Sequence, residues 1–294
     1  MRILAGLLFL VTVSVSGAPP AKPPAPPPDR PHMLAATAAR QKPSHCTNIT
    51  NEVACHKLLA GCGTGPNPGY DADLAFLKNQ TIDPASADKE IKRTFTKLSD
   101  FTALDAATQH MGLGKNLQAA FAPRLADLKE GEIDTVIGYL YYAMQTGKEA
   151  CNCDLTNPED TDIHIGIGFD PTLAAQIANG TFKVTTDPKA TDKAMQTSII
   201  IEMTPHYRAA FHHAWTQASV QASHGRRVKI VGQLLVDTDH NEPAQNCALA
   251  STKKDKASCW RGSVWELHPV TRFYLCKAGA TCDAAASPNW QEQP

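Results

Sequence analysis

The pattern of apolar and polar positions changes character at Ile133. Before it, from 45 to 130, the spacing is local and mainly helical. Asp83 followed by Pro84 predicts a helix start, and Ile91, Phe95 and Leu98 recur at helical spacing. A second helix is predicted through Leu117, Phe121 and Leu125, disturbed by Pro123. After Ile133, runs rich in Val, Ile, Tyr and Leu predict strands at 135–144, 162–168, 198–203, 228–236 and 263–275. Between the third and fourth strands, Thr204-Pro205 reads as an N-cap with proline in the first turn. The helix it opens carries Tyr207, Phe211 and Trp215 four residues apart, and Gly225 closes it.

The ends of the chain add export and a spacer. Arg2, the apolar run Ile3 to Val15 and the small residues Ser16 and Gly17 form a secretory signal over 1–18. Eight of the thirteen residues from Pro19 to Pro31 are proline, so 19–44 is expected to be an extended, unpacked linker. The helical subdomain spans 45–130, the strand-rich domain 131–280 and a tail 281–294. No later segment is apolar for long enough to span a bilayer, and the expected location is secreted or periplasmic. In an oxidising compartment the nine cysteines, Cys46, Cys55, Cys62, Cys151, Cys153, Cys247, Cys259, Cys276 and Cys282, are disulfide candidates. The odd number leaves one thiol over or pairs it with another molecule. Asn48, Asn79 and Asn179 fit the Asn-x-Ser/Thr glycosylation pattern. A net charge of −1 does not demand nucleic acid or an anionic membrane as partner.

Three strands, a helix and two strands, with Gly138 and Gly232 inside the first and fourth, is the order of a small five-stranded OB-type barrel. The expected class is therefore α+β: an OB-like β-barrel with an interposed helix, preceded by a small disulfide-bearing helical subdomain. The chain resembles OB-fold domains, and particularly uncharacterised exported bacterial proteins that share an Asp-x-His strand, a Glu-x-x-Pro strand end and a Trp-Glu-x-His-Pro strand. The matching residues are Asp162 and His164, Glu202 and Pro205, and Trp265, Glu266, His268 and Pro269. This resemblance covers roughly the second half and implies a fold more than an activity.

The candidate chemistry lies in those strands. Side chains two apart on a strand share a face, so Asp162 pairs with His164 and Glu266 with His268. A meander of the first three strands puts Asp162 near Glu202. The fifth strand is expected to close against the first, so Glu266 and His268 need not touch Asp162. These groups suit a ligand, metal or proton-transfer site, and equally a buried network that serves only the fold. After the fourth strand, Asp237, Asp239 and Glu242 open a long loop that Cys247 and Cys259 can close on itself; the acids lack the EF-hand pattern and read as solvated. His206 and His213 are expected on one helix face, without a zinc-protease motif. Cys151 and Cys153 read as anchors for disulfides to different partners. Arg226, Arg227, Lys229, Lys253, Lys254 and Lys256, with Tyr139, Tyr141 and Trp260 as stacking platforms, describe a nucleic-acid surface that the neutral charge does not favour.

The leading expectation is an OB-like binding module for an extracytoplasmic glycan, peptide or oligonucleotide, without a cofactor. The alternative is a metal-dependent hydrolase, a phosphodiesterase or nuclease by class. In it Asp162 and Glu202 would hold a divalent metal, His164 would accept a proton from the attacking water or serve as a further ligand, and Arg208 or Arg261 would offset charge on phosphate. A third reading is a structural or envelope-associated protein.

Overall fold

The computed structural model describes residues 49–55, 71–113, 118–185 and 192–294. The expected export signal, the proline-rich segment, Cys46, Asn48, Cys62 and Leu117 lie outside them.

Seven strands form one sheet: β1 (Thr94–Phe95), β2 (Ile133–Gln145), β3 (Ile163–Gly168), β4 (Ser198–Met203), β5 (Arg227–Val236), β6 (Trp265–Cys276) and β7 (Trp290–Glu292). β2 to β6 close into a five-stranded barrel in the order β2-β3-β4-β6-β5, with β5 returning to β2. β2–β3, β3–β4, β5–β6 and β2–β5 are antiparallel, whereas β4 and β6 run parallel. This is the OB-like α+β fold. The expected closure needs one correction. β5 closes against β2, and the last barrel strand, β6, lies between β4 and β5, which decides where Glu266 and His268 go.

The period-two pattern builds the core. Ile163, Ile165 and Ile167 of β3, Ile199, Ile201 and Met203 of β4 and Trp265 and Leu267 of β6 join one buried apolar cluster. The intervening His164, Glu202, Glu266 and His268 are turned to the opposite face of the same strands. Glycine is required where strands approach closely. A Cβ on Gly138 would sit 2.5 Å from Ile167 Cγ2 and 2.7 Å from the Gly168 carbonyl oxygen. One on Gly232 would meet the Pro269 carbonyl oxygen at 2.8 Å, at a register shift between β5 and β6.

Helices α1 (Ala72–Lys78), α2 (Pro84–Glu90), α3 (Leu98–Thr108) and α4 (Gln118–Asp127) precede the barrel. Asp83 caps α2 by accepting from Ser86 N. The helical spacing of Ile91, Phe95 and Leu98 does not become a helix. Thr94 and Phe95 pair instead with Thr135 and Val136 of β2, because Arg93 is drawn to the buried Asp134 at 2.6 Å and the backbone follows it. α5 (Pro171–Ala178) links β3 to β4.

The aromatic helix after β4 is two helices, α6 (Pro205–Phe211) and α7 (Gln217–Gln221). Tertiary contacts break it. The His212 ring stacks on Trp215 at 3.7 Å and approaches the Thr271 carbonyl at 3.1 Å, and Thr216 recaps the chain over Ser219. His213 therefore lies outside α6 and shares no helix face with the buried His206.

Three disulfides are present among the described residues: Cys55–Cys153, Cys247–Cys259 and Cys276–Cys282. Cys153 is an anchor as expected, but Cys151 is a free, buried thiol. The residues after 280 are fastened by Cys282 and by β7, which pairs with β6. Asn79 is fully buried and donates its amide to the Cys151 carbonyl at 2.8 Å, which removes it as a glycosylation acceptor; Asn179 is exposed. No described helix is long and apolar enough to cross a membrane.

Replacing Gly138 by Ala is expected to lower the unfolding free energy by about 1–3 kcal/mol, the range for overpacking a filled site. Urea denaturation followed by tryptophan fluorescence measures it.

Candidate functional site

The polar face of the barrel wall gathers one residue row from four neighbouring strands. His164 stands opposite Glu202 in the β3–β4 register. The parallel pairing of Ile201 with Leu267 sets Glu202 beside Glu266 and His268. Glu266 in turn faces Leu235 of β5. α1 lies over this row. Its Leu74 and Leu77 pack on Leu235, and its last residue, Lys78, projects into the polar layer. The loops after β2 and β5 complete the cover.

Ion pairs run through the layer without a break. Glu202 is held from both sides, by His164 Nε2 at 2.9 Å and His268 Nδ1 at 3.1 Å. His268 Nδ1 also lies 3.2 Å from Glu266. Arg261 bridges Glu266 and Asp237, both at 3.3 Å. Lys78 Nζ reaches Asp237 at 3.4 Å and Glu266 at 3.8 Å, and His240 Nδ1 meets Asp237 at 2.7 Å. Beside this chain sits Asp162, fully buried, with Asn152 Nδ2 donating to its Oδ2 at 2.6 Å. Next to it, Cys151 Sγ donates to Glu149 Oε2 at 3.3 Å.

Burial and charge pull the acids in different directions. Burial pushes the Asp162 carboxyl up to about 7, reinforced by the charges of Glu149 and Glu202. Burial works the same way on Glu202 and Asp237 and is outweighed. His164, Lys78 and His268 hold Glu202 well below the usual carboxylate range, and His240, Lys78 and Arg261 do so for Asp237. Burial disfavours protonated His164, but the Glu202 charge and contact raise it to about 9. The Cys151 thiol is pushed up by burial and by Glu149 and Asp162.

A cavity of about 340 Å³ opens onto this layer. Its wall includes Asp71 and Lys78 of α1 and its cap, Lys148, Glu149, Cys151 and Asp154 of the loop after β2, His164 and Glu202 of the sheet, and Asp237, Asp239 and His240 of the loop after β5. Six of these are acids and two are lysines. Asp71 and Asp239 are close enough that Asp71, after burial and Asp237, helps hold the Asp239 carboxyl above its usual value.

The structure brings together Asp162, His164, Glu202, Arg261, Glu266 and His268. Arg208 stays apart. Its guanidinium donates to the carbonyls of Thr161 at 2.6 Å, Glu159 at 3.2 Å and Trp215 at 3.3 Å, so it braces the approach to β3. Asp237 is not a solvated loop acid but a buried ion-pair centre. Glu242 is exposed and does not converge with Asp237 and Asp239. The proposed nucleic-acid platform is incomplete: Tyr141 is buried, with its hydroxyl engaged by Asp170, while Arg227 and Lys229 cover the rings of Tyr139 and Tyr274. Lys78, Glu149 and Asn152 carried no local signal. Lys78 in particular reads as an ordinary polar position at the end of a short helix.

Among the described residues, three groups place metal-ligating atoms within 4.8 Å of one another: Glu149, Cys151 and Asp162; Asp162, Glu202 and His268; Glu202, Asp237 and Glu266. Lys78 and Arg261 already occupy the third. No protein-family profile matches the chain, and no curated protein matches it.

Asp237→Asn is expected to leave Lys78 and Arg261 under-compensated and to cost about 3–5 kcal/mol at pH 7. Because folding depresses the Asp237 pKa, its contribution is complete above the unfolded value near 3.8 and is lost as pH falls through the folded value. Denaturant titrations should therefore show a shallower acid loss of stability in the variant than in the wild type.

Proposed function

We propose that this chain is an exported OB-like binding module whose site is the cavity between α1 and the loops after β2 and β5. The supporting observation is the wall itself: six acids against two lysines and two histidines around a space of about 340 Å³. That volume lies near the lower end of small-molecule pockets, roughly 300–1,000 Å³, and accommodates one sugar or one terminal residue. An acidic wall attracts protonated amines and hydroxyl donors and repels phosphate. The ligand class is therefore a small amine-bearing group, as in an amino sugar or the amino end of a peptide, and an oligonucleotide is disfavoured. Asp239 and, beside it, the α1 cap Asp71, whose Oδ1 accepts from Asp73 N and Leu74 N, are the residues for the ammonium group. Export rests on the N-terminal signal pattern and agrees with the three disulfides.

The hydrolase reading has weaker support. His164, assigned to it as base, is committed to Glu202. Arg208 donates to backbone carbonyls, and Arg261 is neutralised by Asp237 and Glu266. Neither guanidinium is left to meet a phosphate.

Calorimetric titration of the full chain with amino sugars, short peptides, neutral sugars and oligothymidylate tests the module. The expected result is saturable binding by an amine-bearing compound. Asp239→Lys should weaken it by about tenfold or more, given 1.4 kcal/mol per decade, with little change in melting temperature. Equal binding by wild type and variant, or no saturable binding in any class, removes this reading.

A further inference from the structure

The ion pairs of the polar layer are unevenly shared. Asp237 has three cationic partners within 4 Å, Glu266 has three and Glu202 has two. Asp162, fully buried in the same layer, has none among the described residues. Asn152 satisfies Oδ2, whereas Oδ1 is buried without a hydrogen-bond partner. Two of its neighbours are acidic too. Glu149 and Cys151 each place a ligand atom within 4.8 Å of one on Asp162 and of each other, and both line the cavity. An oxygen left unpaired in a dry site costs free energy, and it marks the position of a missing partner.

We infer that Glu149 and Cys151, which line the cavity, and Asp162, buried behind them, form a zinc site. Ligand atoms on a tetrahedral zinc ion stand about 3.3–3.6 Å apart, from bonds of 2.0–2.3 Å. Cys151 Sγ and Glu149 Oε2, at 3.3 Å, already have that spacing. A thiolate among carboxylates selects zinc over calcium and magnesium, which take oxygen-only shells. Binding displaces the thiol proton to solvent and leaves thiolate and two carboxylates as ligands, with the fourth position facing the cavity. Asn152 fixes the orientation of the Asp162 carboxylate from behind. The site stands independently of the organic ligand proposed above, since Asp71 and Asp239 belong to other parts of the wall.

The test uses the full chain stripped with a chelator and titrated with zinc alone, in competition with a chromophoric indicator. One equivalent of zinc should bind, and a thousandfold excess of calcium or magnesium should not displace it. Cobalt in its place should give an intense near-ultraviolet thiolate-to-metal band. Zinc should also slow alkylation of Cys151, read by peptide mapping. Cys151→Ser should abolish the cobalt band and weaken zinc at least about tenfold, the minimum expected for losing a ligand when supporting residues cost 10–100-fold. Glu149→Gln, at a side chain 27% exposed, weakens zinc without threatening the fold and serves if Cys151→Ser misfolds. Absence of a stoichiometric zinc ion, a cobalt complex without the thiolate band, or unchanged zinc affinity in both variants overturns the assignment. Loss of amine-ligand binding by Asp239→Lys with zinc retained separates the two sites.

Discussion

Carboxylates shut between a β-sheet and a helix have to be matched by cations, and that requirement organises this molecule. Removing an ion from water costs several kcal/mol even after relaxation, so an acid in such a place persists only with partners in contact. Glu202, Asp237 and Glu266 meet the requirement with Lys78, Arg261 and the histidines at 164, 240 and 268. Each cation comes from a different element than the acid it serves, except within the Glu266–His268, Asp237–His240 and Asp237–Arg261 pairs. The layer thereby fixes α1, two loops and three strands relative to one another. Apolar burial alone would leave their registry loose, because Leu74 and Leu77 contact only one core side chain, Leu235, in their cluster.

The barrel order makes this matching available. With β6 inserted between β4 and β5, the Trp-Glu-x-His strand lies directly beside Glu202. Had β6 closed against β2, Glu202 would have lost one of its two imidazoles and Glu266 would have faced different neighbours. Arg208 contributes at one remove, by holding the carbonyl of Thr161 and with it the residue that follows, Asp162. Cys55–Cys153 acts on the same loop from its other side, joining residues 98 apart in sequence.

Much of the barrel was legible because its strands obey a period of two and its turns carry proline and glycine. Ser198–Met203 has the predicted bounds, and β2, β3, β5 and β6 differ from theirs by one or two residues at most ends. The pairs Asp162–His164 and Glu266–His268 were legible for the same reason: alternation places each on one face. What failed was nonlocal. Ile91, Phe95 and Leu98 keep a helical spacing that Arg93, tied to Asp134, overrides. The stack of His212 on Trp215 breaks a helix whose aromatic period is regular. Lys78 and Asp237, 159 residues apart, have no reason to be paired until topology brings them together. Cys151 and Cys153 are equivalent in the sequence, and only the position of Cys55 decides which one is oxidised.

The reach of Lys78 across the whole domain also sets the time at which the polar layer can exist. Its partners Asp237 and Glu266 belong to the last quarter of the chain, so a nascent polypeptide that ends before Asp237 leaves Lys78 without either counter-ion and Glu202 with His164 alone. Such a fragment has every incentive to stay open and hydrated. A protein built this way completes its polar layer only after synthesis is nearly finished.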